Sequence, residues 1–241
     1  MTKKELERVI LRRRNALERV GQRMAFRALR AQVPKSIDTL EGAISQMENI
    51  SMSPIESFFK KYYRMAGKDI GAVYFAMVQK SDIENIFMDE MERYAIEVAG
   101  TRIVSITDTT RRELIRATRQ AIEEANVRGL GVEKAKDLIL KYCKDSIKVS
   151  RARAIAQTEL ITASNRASMA AAEKTGLTFK KYWSTSGLMN IRDSHLQAEF
   201  DSQDGISMDQ PFSNGLMFPG DPSAPAEEVI NCRCSVLHLP V

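Results

Sequence analysis

The sequence predicts an α+β fold that is predominantly α, with a helical N-terminal body followed by a small, loop-rich C-terminal module that contains a short β-sheet. The first 176 residues show helical periodicity with few breaks, whereas the segment from Trp183 to Cys234 is rich in Gly, Pro, Ser and Asp and shows no helical period. This change near Gly176 divides the 241 residues into unequal parts. We predict an N-terminal helical region (1–100), a second helical part (101–176) and a loop-rich β module (177–241).

The composition is that of a soluble protein with a hydrophobic core. Hydrophobic residues make up 44% of the chain, and no apolar run approaches the roughly 18 to 20 residues that cross a bilayer. The N-terminus is charged from Lys3 onward and lacks the apolar core of a secretory signal. The three cysteines are an odd number, which is not a secreted disulfide framework. We therefore expect a cytoplasmic protein without a membrane partner.

Residues 2–32 are predicted to form one long, basic helix, because apolar residues recur at three, four or seven positions and Pro34 closes the segment. Residues 1–30 hold ten Lys or Arg against three Glu. One interpretation is a solvated helix over a single hydrophobic stripe. The other is a helix that binds an acidic protein or, through phosphates alone, double-stranded DNA. The candidate binding residues are Arg8, Arg12, Arg13, Arg14, Arg19, Arg23, Arg27 and Arg30.

Five further helices are predicted before residue 150, from hydrophobic spacing and from Gly, Pro and capping signals: 36–49, 54–79, 82–98, 108–127 and 131–142. The pair Ser81 and Glu84 is a capping box for the helix over 82–98, and Gly100 is expected to end that helix. The aromatic stripe of the helix over 54–79 is interpreted as core. The glycine turns that follow suggest a helix-turn-helix, but the helix after them is Ala-rich and lacks base-reading side chains.

The helix predicted over 151–174 carries two neighbouring stripes. Small side chains recur at three or four residues and form a seam that permits close packing. Beside the seam runs a mostly polar stripe that includes Thr158, Thr162 and Asn165. This stripe is either plain surface, or it forms hydrogen bonds, together with Glu159, to the irregular segment that follows.

Short strands are predicted in the C-terminal module over residues 177–184 and 234–239, and a short strand or a turn is predicted near 208–212. The first places Phe179 and Trp183 on one side. A two- or three-stranded sheet of this size is marginally stable unless the helical body covers it.

Two thiols and two imidazoles in the C-terminal module are of the types and number that zinc prefers: His195, Cys232, Cys234 and His238. The alternative is that the thiols pack the last strand while a carboxylate such as Asp193 or Asp221 binds His195. The Cys-x-Cys spacing is tighter than the usual Cys-x-x-Cys knuckle. Cys143 lies in an apolar-periodic helix and is expected to be a buried thiol.

The same histidine, with several aspartates, also permits a second hypothesis, a metal-dependent hydrolase or nuclease centred on His195. Aspartates in a Gly-, Ser- and Pro-rich loop are also common turn formers. We find no serine elbow, no phosphate-binding Gly loop and no paired carboxylates at helical spacing. We expect no fused catalytic domain, because only seven residues follow Cys234 in this sequence. We therefore predict that the protein is not an enzyme and that it needs no cofactor, with zinc as the one candidate.

The second half of the chain carries a combination of short motifs. The residues are Arg153, Thr158, Glu159, Asn165, Trp183, Arg192, Asp193, His195, Pro219, Gly220, Asp221, Asn231, Cys232 and Cys234. With this combination, the sequence from about Asp108 to the end resembles the phage Mu F-like minor head proteins, also called head morphogenesis proteins of tailed phages. The resemblance covers roughly half of the chain, and the combination is specific although each motif alone is weak.

The resemblance implies a minor component of the phage head, present in the host cytoplasm during assembly and then in the virion head. It implies the portal protein and other head or scaffold proteins as partners, and non-specific contact with double-stranded DNA during packaging or ejection. It assigns a structural part to the motif residues and no catalytic residue.

Overall fold

A computed structural model of the protein describes residues 1–77, 84–185 and 190–241, without the side chains of residues 84–86 and 98–99. The described residues form α1 (Lys3–Ala31), α2 (Ala43–Glu48), α3 (Ser53–Phe75), α4 (Glu84–Val127), α5 (Val132–Ser146), α6 (Val149–Thr175), β1 (Phe179–Ser184), α7 (Asp193–Asp201), β2 (Ile206–Ser207), α8 (Ala226–Val229) and β3 (Ser235–Pro240). The predicted fold class, predominantly α with a small β component, is confirmed.

Helix α1 begins with a reciprocal capping arrangement. The backbone N–H of Thr2 donates to Glu5 Oε2 at 2.8 Å, and the backbone N–H of Glu5 donates to Thr2 Oγ1 at 3.3 Å. Leu6, Ile10 and Leu17 form its buried stripe, as their spacing predicts. The long basic helix is therefore present.

Helix α4 differs from its prediction. Gly100 does not end a helix, because α4 continues through it as one element of 44 residues. A glycine in a helix interior costs only about 1 kcal/mol relative to alanine, so long helical flanks override it. The predicted capping box at Ser81 and the ends of the neighbouring predictions, near residues 79 and 82, lie outside the described residues. The predicted helix over 36–49 is present only as α2.

The chain forms two compact units. The first comprises Met1–Gly21, Phe59–Val98 and Ala154–Val241 and contains the sheet. The second comprises Gln22–Phe58 and Ala99–Arg153. Cys143 is buried in the second unit, as predicted, and its Sγ lies 3.5 Å from Thr118 Oγ1.

The sheet has the strand order β2-β1-β3, and both pairings are antiparallel. In the β1–β3 pair, Trp183 is opposite Val236. The strands predicted over 177–184 and 234–239 are confirmed. Of the strand or turn predicted near 208–212, the turn is present at residues 208–209, and the two-residue β2 lies just before it.

Helices α7 and α8 occur in the segment that shows no helical period. Only His195 and Ala198 are buried in α7, so its nine residues carry no long apolar stripe that a sequence pattern could reveal. Together, α6, α7, the loops and the sheet form a hydrophobic cluster of Ile161, Met169, Trp183, Ala198, Phe212, Leu216, Phe218, Cys232, Cys234 and Val236.

Candidate functional site

The polar stripe of α6 faces the C-terminal segment. Thr162 Oγ1 donates to the carbonyl oxygen of Gly220 at 2.8 Å. Asn165 Nδ2 donates to the carbonyl oxygens of Pro219 (2.7 Å) and Cys234 (3.2 Å), and its Oδ1 accepts the N–H of Val236 at 3.0 Å. One buried amide thus joins the loop before α8 to the start of β3. This is the hydrogen-bonding alternative for the stripe, and it satisfies loop groups that lack backbone partners.

The N-terminal part of α6 makes similar contacts. The N–H of Asn231 donates to Thr158 Oγ1 at 3.4 Å, and Asn231 has a positive φ of 58°. Glu159 is buried and accepts a hydrogen bond from the Tyr63 hydroxyl at 2.8 Å. Arg153, by contrast, is exposed.

Arg14 belongs to this buried network, although the sequence placed it among the candidates for binding DNA. Its guanidinium is 4% exposed and donates to Ser164 Oγ (2.8 Å), to Ser235 Oγ (2.7 Å) and to Asn165 Oδ1. It also donates to the carbonyl oxygen of Cys234 at 3.1 Å. Burial lowers the pKa of Arg14 to about 10, so the side chain stays charged at neutral pH. The buried Arg14 guanidinium is not accessible to DNA or to an acidic partner. The prediction that Arg14 is a binding residue is therefore wrong.

Asp221 is a turn former. Its carboxylate accepts hydrogen bonds from the backbone N–H of Met217 at 3.0 Å and of Ser223 at 2.9 Å, and from Ser223 Oγ at 2.7 Å. This arrangement fixes the loop that presents Pro219 and Gly220 to α6. It also means that Asp221 is not the carboxylate beside His195.

His195, Cys232 and Cys234 meet in the interior of the first unit. They are 1%, 2% and 4% exposed. His195 Nδ1 lies 3.8 Å from Cys232 Sγ and 3.4 Å from Cys234 Sγ, and the three possible ligand atoms all lie within 4.8 Å of one another. The Trp183 ring packs edge-on against the His195 ring at a centroid distance of 4.9 Å. These three predicted site residues are therefore brought together.

The carboxylate beside His195 is that of Glu228, so the expectation of Asp193 or Asp221 is wrong. Glu228 Oε2 lies 2.9 Å from His195 Nε2, at an angle outside ideal hydrogen-bond geometry. Ser194 Oγ donates to the same oxygen at 3.0 Å. Asp193 is exposed in the first turn of α7, where its negative charge favours the helix N-terminus. No sequence signal marked Glu228, because α8 is a four-residue helix that only tertiary structure places next to α7.

The pKa values of the two thiols shift in opposite directions. Hydrogen bonding from Cys234 lowers the pKa of the Cys232 thiol, and His195 acts in the same direction. The same hydrogen bond, together with burial, raises the pKa of Cys234. The first deprotonation is thus assigned to Cys232, whose thiolate the imidazole and the Cys234 thiol stabilise.

His238 does not join this cluster. Its Nδ1 lies 2.9 Å from Ser168 Oγ, and its ring packs edge-on against Tyr74 at 5.7 Å. Among the described residues, the possible metal ligands group as His195, Cys232 and Cys234 alone. Arg192, which the motif includes, donates from Nη2 to the carbonyl oxygen of Ile230 at 2.7 Å and so ties the start of α7 to the end of α8.

The exposed face of α1 is strongly basic. Arg8, Arg12 and Arg19 are exposed in the first unit, and their spacing places them within an arc of about 40° on the helix. The other predicted binding residues Arg23, Arg27 and Arg30 are exposed in the second unit. Arg13 is half-buried and donates to the carbonyl oxygen of Asp69. We call Arg8, Arg12 and Arg19 the basic face of α1.

The fold and the buried network define a structural module, in which the motif residues fasten C-terminal loops to α6. The chain belongs to the phage Mu protein F like family, whose family model matches residues 110–237, 128 of the 241 residues. This membership points to a structural protein of bacteriophage head morphogenesis, and hence to the virion head. No curated protein and no solved structure matches the chain at a significant level. None of the described helices has the length and apolarity to span a membrane.

Proposed function

We propose that this protein is a minor head protein of a tailed bacteriophage, which acts in head assembly and in DNA packaging or ejection. It works by binding the portal protein, other head or scaffold proteins and double-stranded DNA, and it catalyses no reaction. It reaches the virion from the host cytoplasm, where the head assembles.

The observation that carries this proposal is the use of the family's motif residues. The motif residues Asn165, Pro219 and Gly220 interlock inside the first unit, together with Thr162 of α6 and Arg14 of α1. Buried, fully bonded side chains of this kind hold a shape, which is what a docking component needs. His195 is 1% exposed, a burial that gives no support to a hydrolase acting on a polymeric substrate.

The basic face of α1 supports the contact with DNA. Arginines on one exposed helix face attract phosphates without reading bases, so binding of this kind is independent of sequence and sensitive to salt. During packaging the whole genome passes through the portal, so a protein at the portal meets DNA of every sequence in the genome. A sequence-independent contact suits that task.

Truncation of residues 1–30 is a poor test of these contacts, because it also removes Leu6, Ile10 and Arg14 from the interior. A clean test uses the full chain in its own phage. The gene is deleted and supplied in trans, as wild type or with Arg8, Arg12 and Arg19 replaced by Gln. We expect the wild-type chain in purified heads and in complexes with the portal protein of that phage.

The same experiment separates assembly from DNA handling. Without the gene, we expect abnormal or fewer heads, and with the Arg→Gln variant we expect heads of normal shape that hold less DNA or deliver it less efficiently. Heads of normal shape, number and infectivity in the complete absence of the chain would contradict the proposal.

A further inference from the structure

We propose that His195, Cys232 and Cys234 bind one zinc ion that pins α7 to the start of β3. The proposal goes beyond the role in the phage head and does not depend on it. It begins from the chemistry of the three side chains, because imidazole nitrogen and thiolate sulfur are the preferred ligands of zinc. All three are buried, and their ligand atoms converge on one point.

The distances fit a zinc ion. Zinc–sulfur bonds of about 2.3 Å and zinc–nitrogen bonds of about 2.0 Å, at a tetrahedral angle, place ligand nitrogen and sulfur about 3.5 Å apart. The observed distances from His195 Nδ1 are 3.8 Å to Cys232 Sγ and 3.4 Å to Cys234 Sγ, on either side of this value. Only small side-chain movements are needed to admit the ion.

The orientation of the imidazole also fits. Metal-binding histidines commonly direct their second ring nitrogen to a carboxylate, which fixes the tautomer. Here Nδ1 faces the two sulfurs, and Nε2 faces Glu228 Oε2 at 2.9 Å. Ser194 Oγ holds that carboxylate at 3.0 Å. With the ring proton on Nε2, Nδ1 has a single lone pair, which can accept only one of two S–H groups but can bind a metal that both sulfurs share.

The surrounding charges balance a zinc–dithiolate centre. A zinc ion with two thiolates and a neutral imidazole carries no net charge. Among the described residues, a charged group contacts the cluster on each side: the Arg14 guanidinium donates to the carbonyl oxygen of Cys234, and the Glu228 carboxylate lies beside His195. These two charges are opposite in sign, so a neutral zinc–dithiolate centre between them would leave no unpaired net charge in the protein interior.

The fold gives such an ion a structural task. Helix α7 has nine residues and buries only His195 and Ala198, so few apolar contacts hold it. The two thiols lie just before β3, where Arg14 and Asn165 bind the Cys234 carbonyl. A bond from His195 to both sulfurs through zinc would clamp α7 to this anchored strand.

The test begins with metal content. The full-length protein is purified without chelator from cells grown with added zinc, and its zinc, copper and iron are measured by elemental analysis. We expect one zinc per chain in the wild type and in Cys143→Ser, which removes a buried thiol outside the cluster. We expect a loss of at least tenfold in Cys232→Ser. Copper or iron in place of zinc would overturn the assignment.

A second measurement uses the only tryptophan of the chain, so that the proposal does not depend on the folding of one variant. Trp183 packs against His195, so Co²⁺ added to chelator-treated wild-type protein should quench its fluorescence and produce thiolate-to-cobalt absorption. We expect Glu228→Gln to keep the metal but to weaken its binding by about 10- to 100-fold. Folded wild-type protein that contains no zinc, and whose Trp183 fluorescence and melting temperature do not respond to Co²⁺ or zinc, would overturn the proposal.

Discussion

The Thr162 hydroxyl donates a hydrogen bond of 2.8 Å to the carbonyl oxygen of Gly220. The two residues are so close that a Cβ on Gly220 would lie 3.0 Å from Thr162 Oγ1 and 3.1 Å from the Thr162 backbone nitrogen. Gly220 also has a φ of +82°, which side chains rarely adopt. Glycine is thus required at this position for two separate reasons, a close approach to α6 and a left-handed backbone.

We expect Gly220→Ala to lower the free energy of unfolding by about 2–4 kcal/mol, because the left-handed backbone and the clash with Thr162 both oppose a side chain. Gly215→Ala is the matched control. Its φ is +79°, but nothing lies within 4 Å of the added Cβ, so only the backbone cost of about 1–2 kcal/mol applies. Urea unfolding followed by Trp183 fluorescence measures both. Equal losses in the two variants would show that the contact with α6 does not matter.

Arg14→Met should destabilise the protein by about 2–4 kcal/mol, since it removes every hydrogen bond that the buried guanidinium makes. Arg12→Met removes an exposed arginine two positions earlier in the same helix and should change the stability by less than about 0.5 kcal/mol. Thermal unfolding of the two variants at neutral pH distinguishes these outcomes. If Arg14→Met were as stable as the wild type, the network would not hold the loops to α6.

The buried His238 should make the protein less stable in acid. Desolvation, assisted by the positive charge of Lys181, lowers the pKa of His238 to about 3, against about 6.5 in the unfolded chain. Between these values the unfolded chain binds a proton that the folded protein does not, so the free energy of unfolding falls as the pH falls. Uptake of one such proton on unfolding lowers the free energy of unfolding by about 1.4 kcal/mol for each pH unit well below pH 6.5.

His238→Asn tests this pH dependence, because asparagine can still pair with Ser168 but does not titrate. We expect the variant to lose stability less steeply than the wild type between pH 6.5 and pH 5 in urea titrations, with chelator present in both samples. Parallel curves for the two proteins would assign the acid sensitivity to other groups.

Much of the helical body could be predicted from the sequence, because its signals are local. The stripe of Leu6, Ile10 and Leu17 repeats at helical spacing, and Pro34 follows the segment. The prediction that Gly100 ends a helix was wrong, because a local signal was overridden by the helix on both sides of it. A glycine signals a helix end, but its cost of about 1 kcal/mol is small beside the cooperativity of a 44-residue helix.

The site was only partly predictable, because its partners are distant in sequence. The thiols and His195 could be grouped by their chemistry, since few other residues in the chain bind soft metals. Arg14 looked like any other arginine of α1, yet it lies among buried groups of α6 and β3 that only the tertiary fold supplies. Glu228 had no recognisable spacing to His195 for the same reason.

The basic face of α1 should bind double-stranded DNA without sequence preference. We expect the triple variant Arg8→Gln, Arg12→Gln, Arg19→Gln to bind a random-sequence duplex more weakly than the wild type, because each exposed guanidinium that contacts a phosphate releases a counterion on binding. The slope of log K against log salt should fall in magnitude by about 2 to 3 for three lost contacts. Fluorescence anisotropy at several salt concentrations measures both quantities.

The control must separate this face from net charge. Lys61, Lys68 and Lys180 are also exposed in the first unit, so their triple replacement by Gln removes the same three charges elsewhere. If the face of α1 binds the duplex, this variant keeps most of the affinity and of the salt slope, because only cations that contact phosphates release counterions on binding. Equal losses in the two triple variants would mean that the duplex responds to total charge, and the basic face would then not be a binding surface for DNA.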